Sequence, residues 1–157
     1  MERTLVLIKP DGVKRELIGK IISHYEEKSL EIFAFKMIRA TKDIAKKHYF
    51  EHEGKDFFED LISYVTEGKI CAMILMGEKA IDVVRKINGD KDPTKAELGS
   101  IRGQYALDRT RNLVHASDNT ESAEREIMIW FPELLEEDKY KEAVNLFKKT
   151  DGPLINV

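Results

Sequence analysis

Residues 70 to 76 read "ICAMILM" and are apolar at every position. A run with no polar face is the pattern of a central strand covered on both sides, and such a strand needs layers packed on it. Upstream, Phe57, Phe58, Leu61, Ile62 and Val65 fall at helical spacing, and before them "EIFAFKMIRA" is rich in strand formers. Further back, Leu17, Ile18, Ile21, Ile22 and Tyr25 mark a helix. It follows the opening strand "RTLVLIK", which Pro10, Asp11 and Gly12 stop as turn formers. Downstream, Ala80, Ile81, Val83, Val84 and Ile87 mark another helix. Residues 111 to 119, "RNLVHASDN", supply a short apolar pair that ends in a histidine. A helix over 121 to 131 comes next, with Asn119 or Thr120 able to cap it, Glu121 and Glu124 favourable to its dipole and Pro132 ending it. The order is strand, helix, strand, helices, strand, helix, strand, helix. It predicts an α+β protein with a ferredoxin-like βαββαβ antiparallel sheet, helices packed on it and a C-terminal extension.

A chain of 157 residues fits a single domain, and one of that size buries roughly 70% of the surface its unfolded chain exposes. No repeat or linker divides it, so residues 1–157 are expected to form one domain, with a core over about 2–131 and a tail over 132–157. In that tail Tyr140, Ala143, Val144 and Phe147 fall at helical spacing. The only cysteine, Cys71, sits inside the apolar run and reads as a small buried hydrophobe. The charged opening has too short an apolar run for a secretory signal, and nothing approaches the ~20 apolar residues of a membrane span. A cytoplasmic protein with no membrane partner is expected. Net charge is −3 with both signs interspersed, so no overall field recruits nucleic acid. An anionic ligand must be held by a local cluster.

His115 is where such a cluster could form. Imidazole serves metal binding, general base work and nucleophilic catalysis, because its pKa of ~6.5 leaves it largely neutral at pH 7. A hydrogen-bonded structural histidine is the plain alternative. The company of His115 favours chemistry: Lys9 at a strand exit, Arg85 at the end of a helix, and Arg102 and Arg109 in "GSIRGQYALDRTRN". If these converge they make an anion site without a phosphate loop. The glycine-lysine-serine/threonine pattern of nucleotide-binding loops is absent, so side chains would have to hold a phosphate.

The segment "RNLVHASDN", with "LVLIKPDGV", "HYFEHEGKDFFEDLI" and "GSIRG" in this order, closely resembles the nucleoside diphosphate kinases, and the resemblance runs from Glu2 to Phe131. It implies a ping-pong transfer in which His115 takes the γ-phosphate of ATP or another nucleoside triphosphate through Nδ1 and passes it from phosphohistidine to a nucleoside diphosphate. In that scheme Glu126 accepts from Nε2 and Ser117 supports it. Lys9, Arg85, Arg102 and Arg109 serve the phosphates, and His52 reaches one. Phe57 stacks on the base aided by Leu61, Asn112 and Lys9 read the sugar hydroxyl, and Tyr49 leans on the catalytic imidazole. Mg²⁺ is implied through the nucleotide phosphates rather than in a protein cage, with no metal held by the protein itself. A homo-oligomer is implied too, a hexamer in preference to a tetramer.

The chain departs from the family pattern at Lys91, where a threonine is expected, and at Leu98, where a proline is expected. Two readings compete for Lys91, a phosphate ligand or a solvated loop residue, and the first is favoured because Asp90 and Asp92 would otherwise repel a polyphosphate. A rival function rests on "HYFEH", His48 to His52, which satisfies the H-x-x-E-H spacing of inverted zinc peptidases with Glu51 as base. No third ligand is evident for it. A third class, a ferredoxin-like module that senses nucleotides, would bind without phosphoryl exchange.

Overall fold

The structure, a computed structural model, describes residues 1–135. The apolar spacing in the tail, from Tyr140 to Phe147, lies outside the described residues. In chain order the elements are β1 (Glu2–Ile8), α1 (Pro10–Lys14), α2 (Ile18–Glu27), β2 (Glu31–Arg39), α3 (Lys42–His48), α4 (Phe58–Thr66), β3 (Lys69–Gly77), α5 (Ala80–Asn88), α6 (Ile101–Tyr105), β4 (Val114–Ala116) and α7 (Thr120–Trp130). Short 3-10 turns cover Phe50–His52 and Pro132–Leu135. The sheet order is β2-β3-β1-β4. Every neighbouring pair is antiparallel, so the expected ferredoxin-like sheet is present, with α3 and α4 inserted between β2 and β3.

The unbroken apolar run of β3 follows from this order. Ile70, Ala72 and Ile74, with Leu5 and Leu7 of β1, face Ile62 and Val65 of α4 and Ile127 and Trp130 of α7. Cys71, Met73 and Leu75, with Val6 and Ile8, face Ile21 and Tyr25 of α2, Val84 of α5 and Ile101 of α6. Side chains alternate across a strand, so a sheet covered twice needs apolar residues at odd and even positions alike. Each fully buried Leu or Ile contributes about 1.5 to 3 kcal/mol by leaving water. Two layers of such residues hold the central strands rigidly beneath the loops.

Two elements differ from the sequence reading. Pro10, Asp11 and Gly12, expected as a turn, form the first residues of α1, because proline at the first helical position has a preset φ and no lost hydrogen bond. Helix α6 has only five residues, capped by Ser100 Oγ accepting from the Gly103 N–H. That is too short for a periodic apolar pattern.

The approach to β4 is the unusual piece of backbone. Leu113 is fully buried and holds φ at 77°, a left-handed conformation that a branched side chain seldom adopts. Its N–H donates to Asp11 Oδ2 at 3.1 Å, and its carbonyl accepts from the Lys9 N–H at 2.8 Å. Tyr64 donates its hydroxyl to the other Asp11 oxygen. Gly12 makes room for this contact, since a Cβ there would lie 2.8 Å from Ile8 Cγ2 and 3.3 Å from the Leu113 carbonyl oxygen. Gly12→Ala should therefore cost about 1 to 3 kcal/mol by overpacking, more than the roughly 1 kcal/mol that alanine gains in a helix. Thermal denaturation should show a lower melting temperature. An unchanged one would mean that Ile8 and Leu113 give way freely.

Candidate active site

Where β4 pairs with β1, Leu7 lies opposite His115. The His115 imidazole projects from the sheet edge towards α7, and its Nε2 is 2.9 Å from Glu126 Oε2. Glu126 is 4% exposed, and the same oxygen accepts from Ser117 Oγ at 2.7 Å. Ser117 Oγ in turn accepts from the Leu5 N–H at 3.2 Å, which ties the carboxylate to the first central strand. Helix α7 brings Glu126 to this point because Asn119 Oδ1 caps it, accepting from the Ser122 N–H at 2.8 Å. A carboxylate can only accept, so the His115 proton sits on Nε2 and Nδ1 keeps its lone pair. This is the arrangement of an oriented nucleophile or base.

A cleft of about 1010 Å³ opens over this group. Every residue singled out from the sequence lines it except Ser117, which stands behind Glu126. Lys9 is buried, and its Nζ donates to Asn112 Oδ1 at 2.5 Å and to the Thr110 carbonyl at 3.2 Å. Burial pushes its pKa down to about 8, and Arg102 and Lys91 press the same way against Asp11 and Asp108. Asn112 also donates from Nδ2 to the carbonyls of Lys91 at 3.1 Å and Arg109 at 3.0 Å. It therefore fastens the rim of the cleft as well as lining it.

The other four cations singled out from the sequence are held differently. Arg102 is buried and donates to three carbonyls, those of Asn112 at 3.2 Å, Gly89 at 2.7 Å and Val114 at 2.6 Å. A guanidinium has five N–H donors, so two remain for a ligand. Arg85 pairs with Asp118 at the mouth, both about half exposed. Arg109 and Lys91 are exposed on the cleft wall. The Lys91 carbonyl is what Asn112 grips, so position 91 holds the rim through its backbone whatever its side chain. Leu98, the other departure from the family pattern, is 86% exposed before α6 and fills no core position.

Aromatic rings form the opposite wall. Phe57, which could have been core by its helical spacing, is 48% exposed at the start of α4, while Phe58 beside it is buried. The His52 ring lies 5.3 Å from that of Phe57, and burial with the Lys55 ammonium holds its pKa below the ordinary value. The ring packed on His115 is that of His48, at 4.4 Å, and Tyr49 packs on His48 at 4.5 Å. Tyr49 lines the cleft beside His115 as well, and burial, helped by the Glu126 carboxylate, holds its hydroxyl in the protonated form. Among the described residues, His48 groups with His115 and Glu126, their donor atoms lying within 4.8 Å of one another. The pairing with His52 that the H-x-x-E-H spacing implied is not the one the fold makes. Sequence reasoning gave His48 a role only in that motif and missed Arg125 and Thr110, which also line the cleft. No local signal marks these residues, because their neighbours come from distant segments.

Comparison with known proteins agrees with this geometry. A family model described as nucleoside diphosphate kinase matches residues 2–135. Curated nucleoside diphosphate kinases include one from Clostridium perfringens, 53% identical over 138 residues that span 88% of this chain and 96% of the relative. Another, from Methanocaldococcus jannaschii, is 53% identical over 132 residues, spanning 84% of this chain and 94% of the relative. Among solved structures, an apo nucleoside diphosphate kinase from Encephalitozoon cuniculi superposes with a TM-score of 0.84 at 36% identity, covering 87% of this chain and 92% of that one. A halophilic nucleoside diphosphate kinase from Halobacterium salinarum in complex with CDP gives 0.81 at 43% identity, covering 83% and 87%. With a family model spanning nearly all the described residues and relatives identical at half their positions, the chain belongs to the nucleoside diphosphate kinase family.

Proposed function

We propose that His115 carries the phosphate in a ping-pong exchange between nucleoside triphosphates, ATP among them, and nucleoside diphosphates. The observation that carries this reading is the His115 Nε2 contact with a buried Glu126 oxygen that Ser117 also holds, at the floor of a cationic cleft. Nδ1 attacks the γ-phosphorus, the bond from that phosphorus to the bridging oxygen breaks, and the diphosphate leaves. The terminal oxygen of a second diphosphate then attacks the phosphohistidine and restores the imidazole. Such a transfer asks for alignment and charge neutralisation more than covalent chemistry. Glu126 stabilises the charge that grows on the ring, and Ser117 holds Glu126 in place.

Lys9, Arg85, Arg102, Arg109 and His52 face the phosphates, with hydrogen bonds to charged groups contributing about 1.5 to 3 kcal/mol each. Exposed Phe57, supported by Leu61, offers a stacking platform that accepts any base. Asn112 and Lys9, already bonded to each other, read the sugar hydroxyl. Tyr49 acts through His48. Mg²⁺ comes with the nucleotide and neutralises phosphate oxygens there. The group of His48, His115 and Glu126 offers two imidazoles and a single carboxylate, poor in the oxygen ligands this cation takes, which supports that route. No helix among the described residues is long and apolar enough to cross a membrane. Exchange between soluble nucleotides is the reason to assign the protein to the cytoplasm. Phe35 and Met37, each 44% exposed on the outer strand β2, support assembly into a homo-oligomer, a hexamer by family resemblance.

Three measurements test this function. Mixing with Mg·ATP should give an acid-labile phosphoenzyme at His115, and His115→Ala should lose it with nearly all exchange activity. Phosphate retained on that variant would move the nucleophile elsewhere. Lys9 must be an ammonium to hold a phosphate, and its pKa of about 8 in the empty site makes that form scarce in alkali. ADP affinity should hold below that value and weaken as pH rises through it, approaching about tenfold per unit. A flat profile would remove Lys9 from the phosphates. Finally, Lys91→Ala should raise the ADP dissociation constant several-fold at low salt and less at high salt. No change at low salt would make the side chain a solvated one.

A further inference from the structure

His48 ends α3 at 4% exposure. Its Nδ1 is 3.0 Å from Nε1 of Trp130, the last residue of α7. An indole N–H only donates, so Nδ1 carries no proton and the neutral ring keeps its proton on Nε2. The His48 ring stands nearly perpendicular to three others, to His115 at 82°, to Tyr49 at 89° and to Trp130 at 79°.

The grouping of His48, His115 and Glu126 suggests a transition-metal site by spacing alone. The Trp130 bond argues otherwise. A cation on His48 Nε2 would displace that proton, and the neutral ring would then need one on Nδ1, where the indole N–H already points.

We propose that His48 is a positioning residue for His115: the imidazole held by Trp130 forms an edge-to-face stop that keeps Nε2 of His115 on Glu126 and leaves Nδ1 for the phosphorus. This role rests on the phosphohistidine reading and adds the means by which one ring orientation is selected. The outer torsion of histidine is broad and roughly two-fold, so a ring held by one hydrogen bond could turn over and present the wrong nitrogen. The stop must also stay neutral, since a second cation would disfavour the charge that grows on His115 during transfer. The ionisable groups around it are His115 from β4, Arg125 and Glu126 from α7, His52 from the 3-10 turn, Lys9 from the exit of β1, and its neighbour Tyr49. Burial is the largest influence on His48, and with His115, Arg125, His52 and Lys9 it holds the pKa well below the ordinary histidine value.

Rapid mixing with Mg·ATP, followed by assay of the acid-labile phosphoenzyme, tests the role in two variants. His48→Asn keeps an acceptor for Trp130 but removes the ring edge. It should slow phosphoenzyme formation by about tenfold or more, as a misplaced nucleophile does, while the ADP dissociation constant stays within about twofold. Trp130→Phe removes the indole N–H and keeps a ring. With no indole N–H to fix it, the His48 ring can turn and the stop slackens, so phosphoenzyme formation should slow by about threefold or more, again with the ADP dissociation constant within about twofold. An unchanged rate in His48→Asn, a defect confined to nucleotide affinity, or a Trp130→Phe rate equal to that of the unsubstituted protein would each overturn the proposal. Failure of the unsubstituted protein to form a phosphoenzyme would instead overturn the transfer reading on which it stands.

Discussion

The buried carboxylate of Asp11 is the contact on which the working end of the molecule depends. Leu113 adopts a left-handed backbone, and a residue held there by its surroundings stores of order 1 to 3 kcal/mol. Asp11 offsets that by accepting the Leu113 N–H, and Tyr64 shares the carboxylate from α4. The kink sets Asn112 against Lys9 on one side and turns the chain into β4 on the other, so His115 arrives opposite Leu7. Gly12 and the Lys9 N–H keep α1 close enough for these bonds to form. One loop conformation thereby places a cationic side chain and an imidazole in the same cleft.

Rigidity continues beyond that loop through polar groups with more than one partner. Ser117 receives the Leu5 N–H and gives its own proton to Glu126. Arg102 joins the end of α5, the kinked loop and β4 by donating to Gly89, Asn112 and Val114. Leaving any of these buried acceptors without a donor would cost about 1 to 3 kcal/mol. Arg102 is therefore a strut of the cleft before it is a ligand, and a lysine could not replace its planar fork.

Strands and long helices were legible in the sequence because burial writes itself into periodicity. The unbroken run from Ile70 to Met76 announced a sheet covered twice, and the face of Ile21 and Tyr25 announced a packed helix. Helix α6 was not legible, since five residues hold too little of a period. A gathering of Lys9, Arg85 and Arg102 around His115 was suggested by their places in the sequence, the resemblance gave them and Asn112 their roles, and the cleft contains them all. What the local pattern could not supply was partnership across the chain. His48 stood out through its spacing to His52, yet its neighbours are Trp130, 82 positions away, and the nearby ring of His115. Phe57 shows the complementary case, a residue at helical spacing that the first turn of α4 leaves in the open. Periodicity tells which residues share a face, and only the fold tells which faces meet.

The Arg85–Asp118 pair at the mouth sets a threshold for whatever enters. The guanidinium is already paired with Asp118, so an arriving anion must compete with a tethered carboxylate before it gains that contact. Lys9 and Arg102 line the same cleft, so a ligand with several anionic groups could gain more than one contact for the one that Arg85 gives up. A half-exposed ion pair, worth little to folding, is thus a cheap contact to exchange, and the mouth of the cleft is its least committed part.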